Sequence, residues 1–126
     1  MSIQQRIRSI QYAVNGLSDM LKTQPNVRIH LFVSALVTIG GFYYHISKAD
    51  WIAVVICMAL VLGLEALNTA VEYCCDLVSP EYHPLAGKAK DAAAAAVLIA
   101  AMGAVVVGII VFGPPMLEEV CRRWCK

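Results

Sequence analysis

The sequence predicts an all-α membrane protein, with three transmembrane helices and an amphipathic N-terminal surface helix in a single domain over residues 1–126. Two observations make the membrane the solvent. Sixty per cent of the 126 residues are hydrophobic and the mean hydropathy is +0.68, far too apolar for a water-soluble domain of this size. Three runs, 29–46, 51–78 and 87–113, are also long enough to cross about 30 Å of hydrocarbon. The fourth helix follows from a third observation: in segment 1–23 apolar residues recur every three or four positions, the period of a one-sided helix.

That N-terminal segment places Ile3, Ile7, Ile10, Val14, Leu17 and Leu21 on one face and carries Arg6, Arg8 and Lys22. It is too polar to insert and suits a helix lying at the bilayer interface, either as a plain anchor or as a grip on substrate. No apolar h-region precedes Val27, so no signal peptide is expected. Thr23-Gln24-Pro25-Asn26 punctuates the chain, because proline disfavours helical geometry at Gln24 and permits a new helix to start after it. The first span follows, with His30 just inside it as an interfacial hydrogen-bonder. Gly40 and Gly41 allow close helix contact, and Tyr43, Tyr44 and Trp51 form an aromatic belt at the outer face. A tight outer turn is expected at 47–50.

The second span runs without a breaker into a cytoplasmic extension that ends at Ser79-Pro80, and 81–84 is a short loop. The third span opens on Gly87 to Asp91. Its alanine run, 92–96, with Gly103 and Gly108, provides a small-residue surface for close packing. Gly113-Pro114-Pro115 is expected to end it, leaving 114–126 as a short amphipathic or disordered tail.

Charge sets the orientation. The N-terminal segment and the 79–90 loop share one side and hold Arg6, Arg8, Lys22, Arg28, Lys88 and Lys90, against Lys48, Arg122, Arg123 and Lys126 on the other. That excess points to a cytoplasmic amino terminus. A net charge of +1 without a basic block offers nothing for nucleic acid. Five cysteines are an odd number and read as free thiols. Cys121 and Cys125 are one turn apart, but no nearby histidine completes a zinc site.

The chemistry collects on the second span. Glu65, Thr69, Glu72 and Asp76 share one helix face, with Asn68 to one side. A carboxylate at membrane depth costs about 2.5 kcal/mol or more unless it faces a bundle interior or a wet cavity, so such a stripe marks a functional site. Three helices enclose too little space for so many acids, which argues for an oligomer with the site between protomers. The stripe ends near Lys88, Lys90 and Asp91. Carboxylates beside lysines are what magnesium and a polyphosphate require, since magnesium takes one or two carboxylates plus phosphate oxygens and ammonium groups neutralise the rest. Leu85-Ala86-Gly87-Lys88-Ala89 lacks the flanking residues of a P-loop, and protein-kinase motifs are absent.

Glu65-Ala-Leu-Asn68-Thr69-Ala-Val-Glu72, then Asp76, Glu81-Tyr82-His83 and Gly87-Lys88-Ala89-Lys90-Asp91, resembles the signature of the small integral-membrane prokaryotic diacylglycerol kinase family, which includes undecaprenol kinases. The likeness covers roughly residues 5 to 112. It implies an ATP-dependent lipid kinase that moves the γ-phosphate of MgATP to a lipid hydroxyl, giving phosphatidic acid or undecaprenyl phosphate. It further implies a homotrimer with composite sites, in the bacterial cytoplasmic (inner) membrane, with the amino terminus and active site cytoplasmic.

By that resemblance, Glu65 is the catalytic base, Asn68 and Thr69 support it, and Glu72 binds the magnesium of MgATP. Tyr12, Asp76, Glu81, His83, Lys90 and Asp91 border the nucleotide. The family's second metal-binding glutamate falls at Gln24, whose amide oxygen can ligate magnesium but brings no charge. Residues 25–30, PNVRIH, stand nearer the undecaprenol-kinase branch. A rival reading, a small proton-coupled transporter titrating Glu65, accounts for one buried acid and leaves Glu72, Asp76, Lys90 and Asp91 unexplained. A membrane scaffold without catalysis leaves all five unexplained.

Overall fold

The structure is a computed structural model that describes residues 2–81 and 83–124. Within them the chain is all helical: α1 (Ile3–Thr23), α2 (Pro25–Tyr43), α3 (Lys48–Val78) and α4 (Pro84–Trp124). Helices α2, α3 and α4 are each long and apolar enough to cross a membrane. Tyr82, part of the motif that carries the resemblance, and Cys125, expected as a free thiol, lie outside the described residues.

Local chemistry sets most of the boundaries. Ser2 starts α1 with a capping box, its hydroxyl accepting from the Gln5 amide while the Gln5 side chain accepts from the Ser2 amide. Gln24 is extended, at φ −104° and ψ 108°, and closes α1 as Pro25 opens α2 at a position where a missing N–H costs nothing. The helix thus begins four residues before the expected span. The Arg28 guanidinium folds back onto the carbonyls of Leu21 and Lys22, so a cation satisfies acceptors left free at the end of α1.

Helix α2 stops at Tyr43, short of the expected 46, in a Schellman arrangement. The amides of His45 and Ile46 donate to the carbonyls of Phe42 and Gly41. His45 takes the left-handed conformation, φ 50°, that glycine usually fills there. The tight turn lies at 44–47, three residues before its expected place, because Ser47 and Asp50 form a capping box that starts α3.

Helices α3 and α4 are the principal pair, and α2 and α1 contact α3 more lightly. Of the expected small-residue surface only Ala93, Ala96 and Gly108 are partly covered, in line with Ala100 and Ala104, whereas Ala92, Ala94, Ala95 and Gly103 are exposed because the helical period turns them to the outer face with Leu98, Ile99, Val105 and Ile109. Across α3 the covered stripe changes character along its length, from Val54 and Val61 to Glu65, Asn68 and Thr69. Apolar packing therefore fills one end of the bundle and polar side chains the other.

Two expectations are corrected at α4. Gly87 to Asp91 lie within the helix, which starts at Pro84. Nor do Pro114 and Pro115 end it: the helix continues to Trp124. The two prolines remove two N–H donors, but the following turn is tied to the end of α2. The hydroxyls of Tyr43 and Tyr44 donate to the two oxygens of Glu119 at 3.3 and 3.2 Å, and Arg123 pairs with Glu119 from one turn on. At about 1.5 Å per residue, α4 is about 61 Å long and overruns the hydrocarbon. The four described cysteines are free, as expected.

Gly41 is where α2 meets the start of α3. A Cβ there would stand 2.7 Å from Cη2 of Trp51, in an indole that also packs at 4.9 Å on the ring of Phe42. Gly41→Ala should therefore lower stability by about 1–2 kcal/mol, an overpacking cost partly offset by alanine's better helix propensity. Gly103→Ala, with open space around it, should leave stability unchanged or slightly raised. Thermal unfolding of both variants in the same detergent checks the pair.

Candidate active site

Helix α3 delivers the site in four successive turns. Glu65 is the deepest charged side chain, 2% exposed, and its Oε1 is buried without a hydrogen-bond partner. Across the interface, Nε2 of His30 on α2 stands 3.7 Å from that oxygen. Sequence reasoning placed His30 at the interface as a lone ring, and the contact with Glu65 depends on how α2 and α3 are rotated against each other, which local spacing does not encode.

One turn further, Asn68 donates from its amide to Oε1 of Glu72 at 3.1 Å, while its own Oδ1 is buried and unpartnered. Thr69 turns back to its own helix and donates to the carbonyl of Glu65 at 3.0 Å. Its hydroxyl is satisfied there, so its support is to the α3 backbone.

Glu72 connects three helices. Its second oxygen accepts at 3.5 Å from the side-chain amide of Gln24, the residue between α1 and α2. Gln24 makes no capping hydrogen bond with that side chain, so its contact is with the acid. Both oxygens of Glu72 thus meet neutral amides, which offer hydrogen bonds and leave its negative charge uncompensated. Next to it, Tyr73 donates to Asp19 at 2.7 Å and lies 3.3 Å from the Thr23 hydroxyl, fixing the end of α1 on α3. Sequence reasoning missed this tie. The available signal was Asp19, the lone acid of the first 49 residues.

Asp76 and Lys90 form a 2.5 Å ion pair between the last turns of α3 and the start of α4. This puts the lysine at the same end of the bundle as the acids. Glu65 to Asp76 spans about 16 Å of helix axis.

Four expected site residues are not gathered into this cluster within one chain. Tyr12 is 72% exposed on α1. Glu81 and Asp91 are exposed, and His83 accepts from the Leu85 amide, capping the start of α4.

Among the described residues no three His, Cys, Asp or Glu side chains converge into a metal cage. The oxygens of Glu72 with the amide of Gln24 still fit a hard cation that draws its remaining ligands from phosphate and water. Rotating the Gln24 amide exchanges NH2 for oxygen beside the carboxylate.

Residues 11–112 match the model of the family described as prokaryotic diacylglycerol kinase. The chain belongs to that family. It is 34% identical to the undecaprenol kinase of Bacillus subtilis over 86% of its own length and 89% of that protein. It is 43% identical to the diacylglycerol kinase of Synechocystis over 87% of its length, spanning 63% of that longer protein. With the diacylglycerol kinase of Escherichia coli it shares 42% identity over 79% of its length and 82% of the relative. The matched region takes in α3 whole and every acid of the stripe. It stops before Glu119 and Arg123, so the clamp at the far end of α4 lies outside it.

Replacing Gln24 by glutamate would set two carboxylates against each other about 3.5 Å apart, an arrangement that a divalent cation relieves. Gln24→Glu should lower the magnesium concentration for half-maximal activity several-fold. Superimposable magnesium titrations for variant and wild type would show that Gln24 has no part in holding the metal.

Proposed function

We propose that this chain is a lipid kinase that transfers the γ-phosphoryl group of ATP to the hydroxyl of a membrane lipid alcohol, diacylglycerol or undecaprenol. Family membership supports a phosphotransferase with an alcohol acceptor, and relatives named for each of the two lipids match the chain over most of its length. The observation that carries the chemistry is the Glu65 carboxyl group: buried, with an oxygen that no described residue satisfies, on the same face as Glu72. A transporter built on Glu65 is not favoured, since it assigns no work to Glu72, Asp76 and Lys90, and the relatives are kinases.

Each residue then has one task. Glu65 takes the proton from the lipid hydroxyl as its oxygen bonds to the γ-phosphorus and the bond to the departing ADP oxygen breaks. Asn68 holds Glu72 by its amide. Glu72, with Gln24, would hold magnesium, which when bound neutralises phosphate charge. Lys90 lies where phosphate oxygens would replace Asp76 as its partner. Since phosphoryl transfer passes through a loose transition state, most of the rate enhancement comes from this placement and charge neutralisation.

The protein would act as a homotrimer in the bacterial inner membrane, with α1 along the cytoplasmic surface. Tyr12, Glu81, His83 and Asp91 stand clear of the Glu65 to Glu72 cluster in a single chain, and composite sites between protomers would give them a nucleotide to contact. The exposed face of α1, with Ile3, Ile7, Ile10 and Val14, suits a bilayer interface.

The test is γ-labelled ATP with diacylglycerol and undecaprenol offered separately in mixed micelles. The wild type should yield a labelled lipid with at least one of them. Glu65→Gln should lower turnover by about 10² to 10⁴, the usual worth of a general base, with MgATP still bound. Glu72→Gln should weaken magnesium-dependent nucleotide binding. Substantial turnover by Glu65→Gln would remove the base from this account, and an absence of labelled lipid with any alcohol would remove the function.

A further inference from the structure

The unsatisfied oxygen of Glu65 has a neighbour that the proposed reaction does not use. Among the described residues, His30 is the only lysine, arginine or histidine with a nitrogen within 4.0 Å of that carboxylate, at 3.7 Å. Competing donors on α3 are committed elsewhere, Thr69 to the backbone and Asn68 to Glu72. The imidazole also borders an apolar cavity of about 390 Å³ between α2, α3 and α4, lined by Val33, Val37, Val54 and Val61. Ser34 and Cys57 are the other possible donors in that wall, and neither makes a hydrogen bond to the Oε1 of Glu65.

We propose that His30 is a positioning residue for Glu65, donating from Nε2–H to Oε1 and so leaving Oε2 to receive the proton of the lipid hydroxyl. This inference rests on the reading of Glu65 as the base. The present distance exceeds a normal N–H···O bond by about 0.5 Å, a gap that a small rotation of either side chain closes. The physical need is plain. A glutamate has three rotatable bonds, and a buried one with an unpaired oxygen is both costly and poorly aimed. Anchoring one oxygen removes the cost and sets the direction of the other. His30 lies on the helix that also carries Pro25, next to Gln24, so α2 would hold the base through His30 and support the metal side through Gln24.

Full-length protein in mixed micelles, with ATP and lipid alcohol each varied, tests this through His30→Leu and His30→Gln, with His30→Met as a second apolar variant should leucine not fold. Loss of a positioning contact should lower kcat at least tenfold in the apolar variants while KM for ATP stays within about twofold, since misplacement near the reacting atoms acts on the chemical step. A glutamine side chain at this position retains an N–H that reaches toward Glu65, so His30→Gln should recover most of the lost kcat. An apolar variant with wild-type kcat overturns the inference. So does a matched fall in kcat and rise in KM that glutamine does not rescue, the signature of general damage to packing. Glu65→Gln run in parallel separates the two levels: if it is inactive while His30→Leu is unimpaired, only the positioning role fails, whereas an active Glu65→Gln removes the base and His30's role with it.

Discussion

Placing the carboxyl group of Glu65 inside a bundle of apolar helices is the constraint that shapes this molecule. Nothing about folding favours it. An ionised acid at such depth is held only by compensations elsewhere, and the chain supplies few of them: one buried oxygen is bare, and the nearest base stands just beyond hydrogen-bond distance. A group retained under those terms is one whose reactivity matters. The apolar packing of Val54 and Val61 below it, and the small-residue surface of α4 against α3, provide a framework rigid enough to keep it there.

Around that acid the polar side chains are arranged so that neutral donors meet Glu72 and the single cation, Lys90, meets the outermost acid. Amides from Asn68 and Gln24 orient Glu72 without cancelling its charge, which keeps it available to a cation. The Asp76 and Lys90 pair is solvent-facing, and such a pair contributes little to stability, so its components can separate when phosphate arrives. Tyr73 and Asp19 lock the end of α1 to α3 beside Glu72. Helix α1 is thus tied to the helix that carries the acid stripe. The Tyr43, Tyr44 and Glu119 clamp performs a similar structural task at the opposite end of the bundle.

Much of this was legible in the sequence because membranes impose simple rules. Hydropathy located three spans, the 3.6-residue period located α1, and Pro25 marked the hinge; the acid stripe followed from spacing along α3 alone. What escaped the sequence were contacts between elements. The approach of His30 to Glu65 and of Asp19 to Tyr73 each depends on the rotation of one helix about its axis relative to another, and no local pattern fixes that rotation; Gln24 and Glu72 were brought together by the family resemblance alone. The run through Pro114 and Pro115 escaped because proline's local preference is to stop a helix, whereas α4 continues and its next turn bonds to residues about 75 positions earlier. Tyr12, Glu81, His83 and Asp91, expected at the nucleotide, stay apart in one chain, and the proposed sharing of the site between protomers would be written in neither the spacing nor the single chain.

We propose that nucleotide and metal bind on the polar half of α3, next to Gln24. Replacing magnesium with Mn2+ in the presence of ADP and mapping paramagnetic broadening of backbone resonances tests this directly. The account predicts the strongest broadening at Gln24 and along α3 from Asn68 to Asp76, with the Tyr43 to Ser47 turn and the Glu119 region unaffected. Broadening centred on that far end, with the α3 stripe sharp, would contradict it.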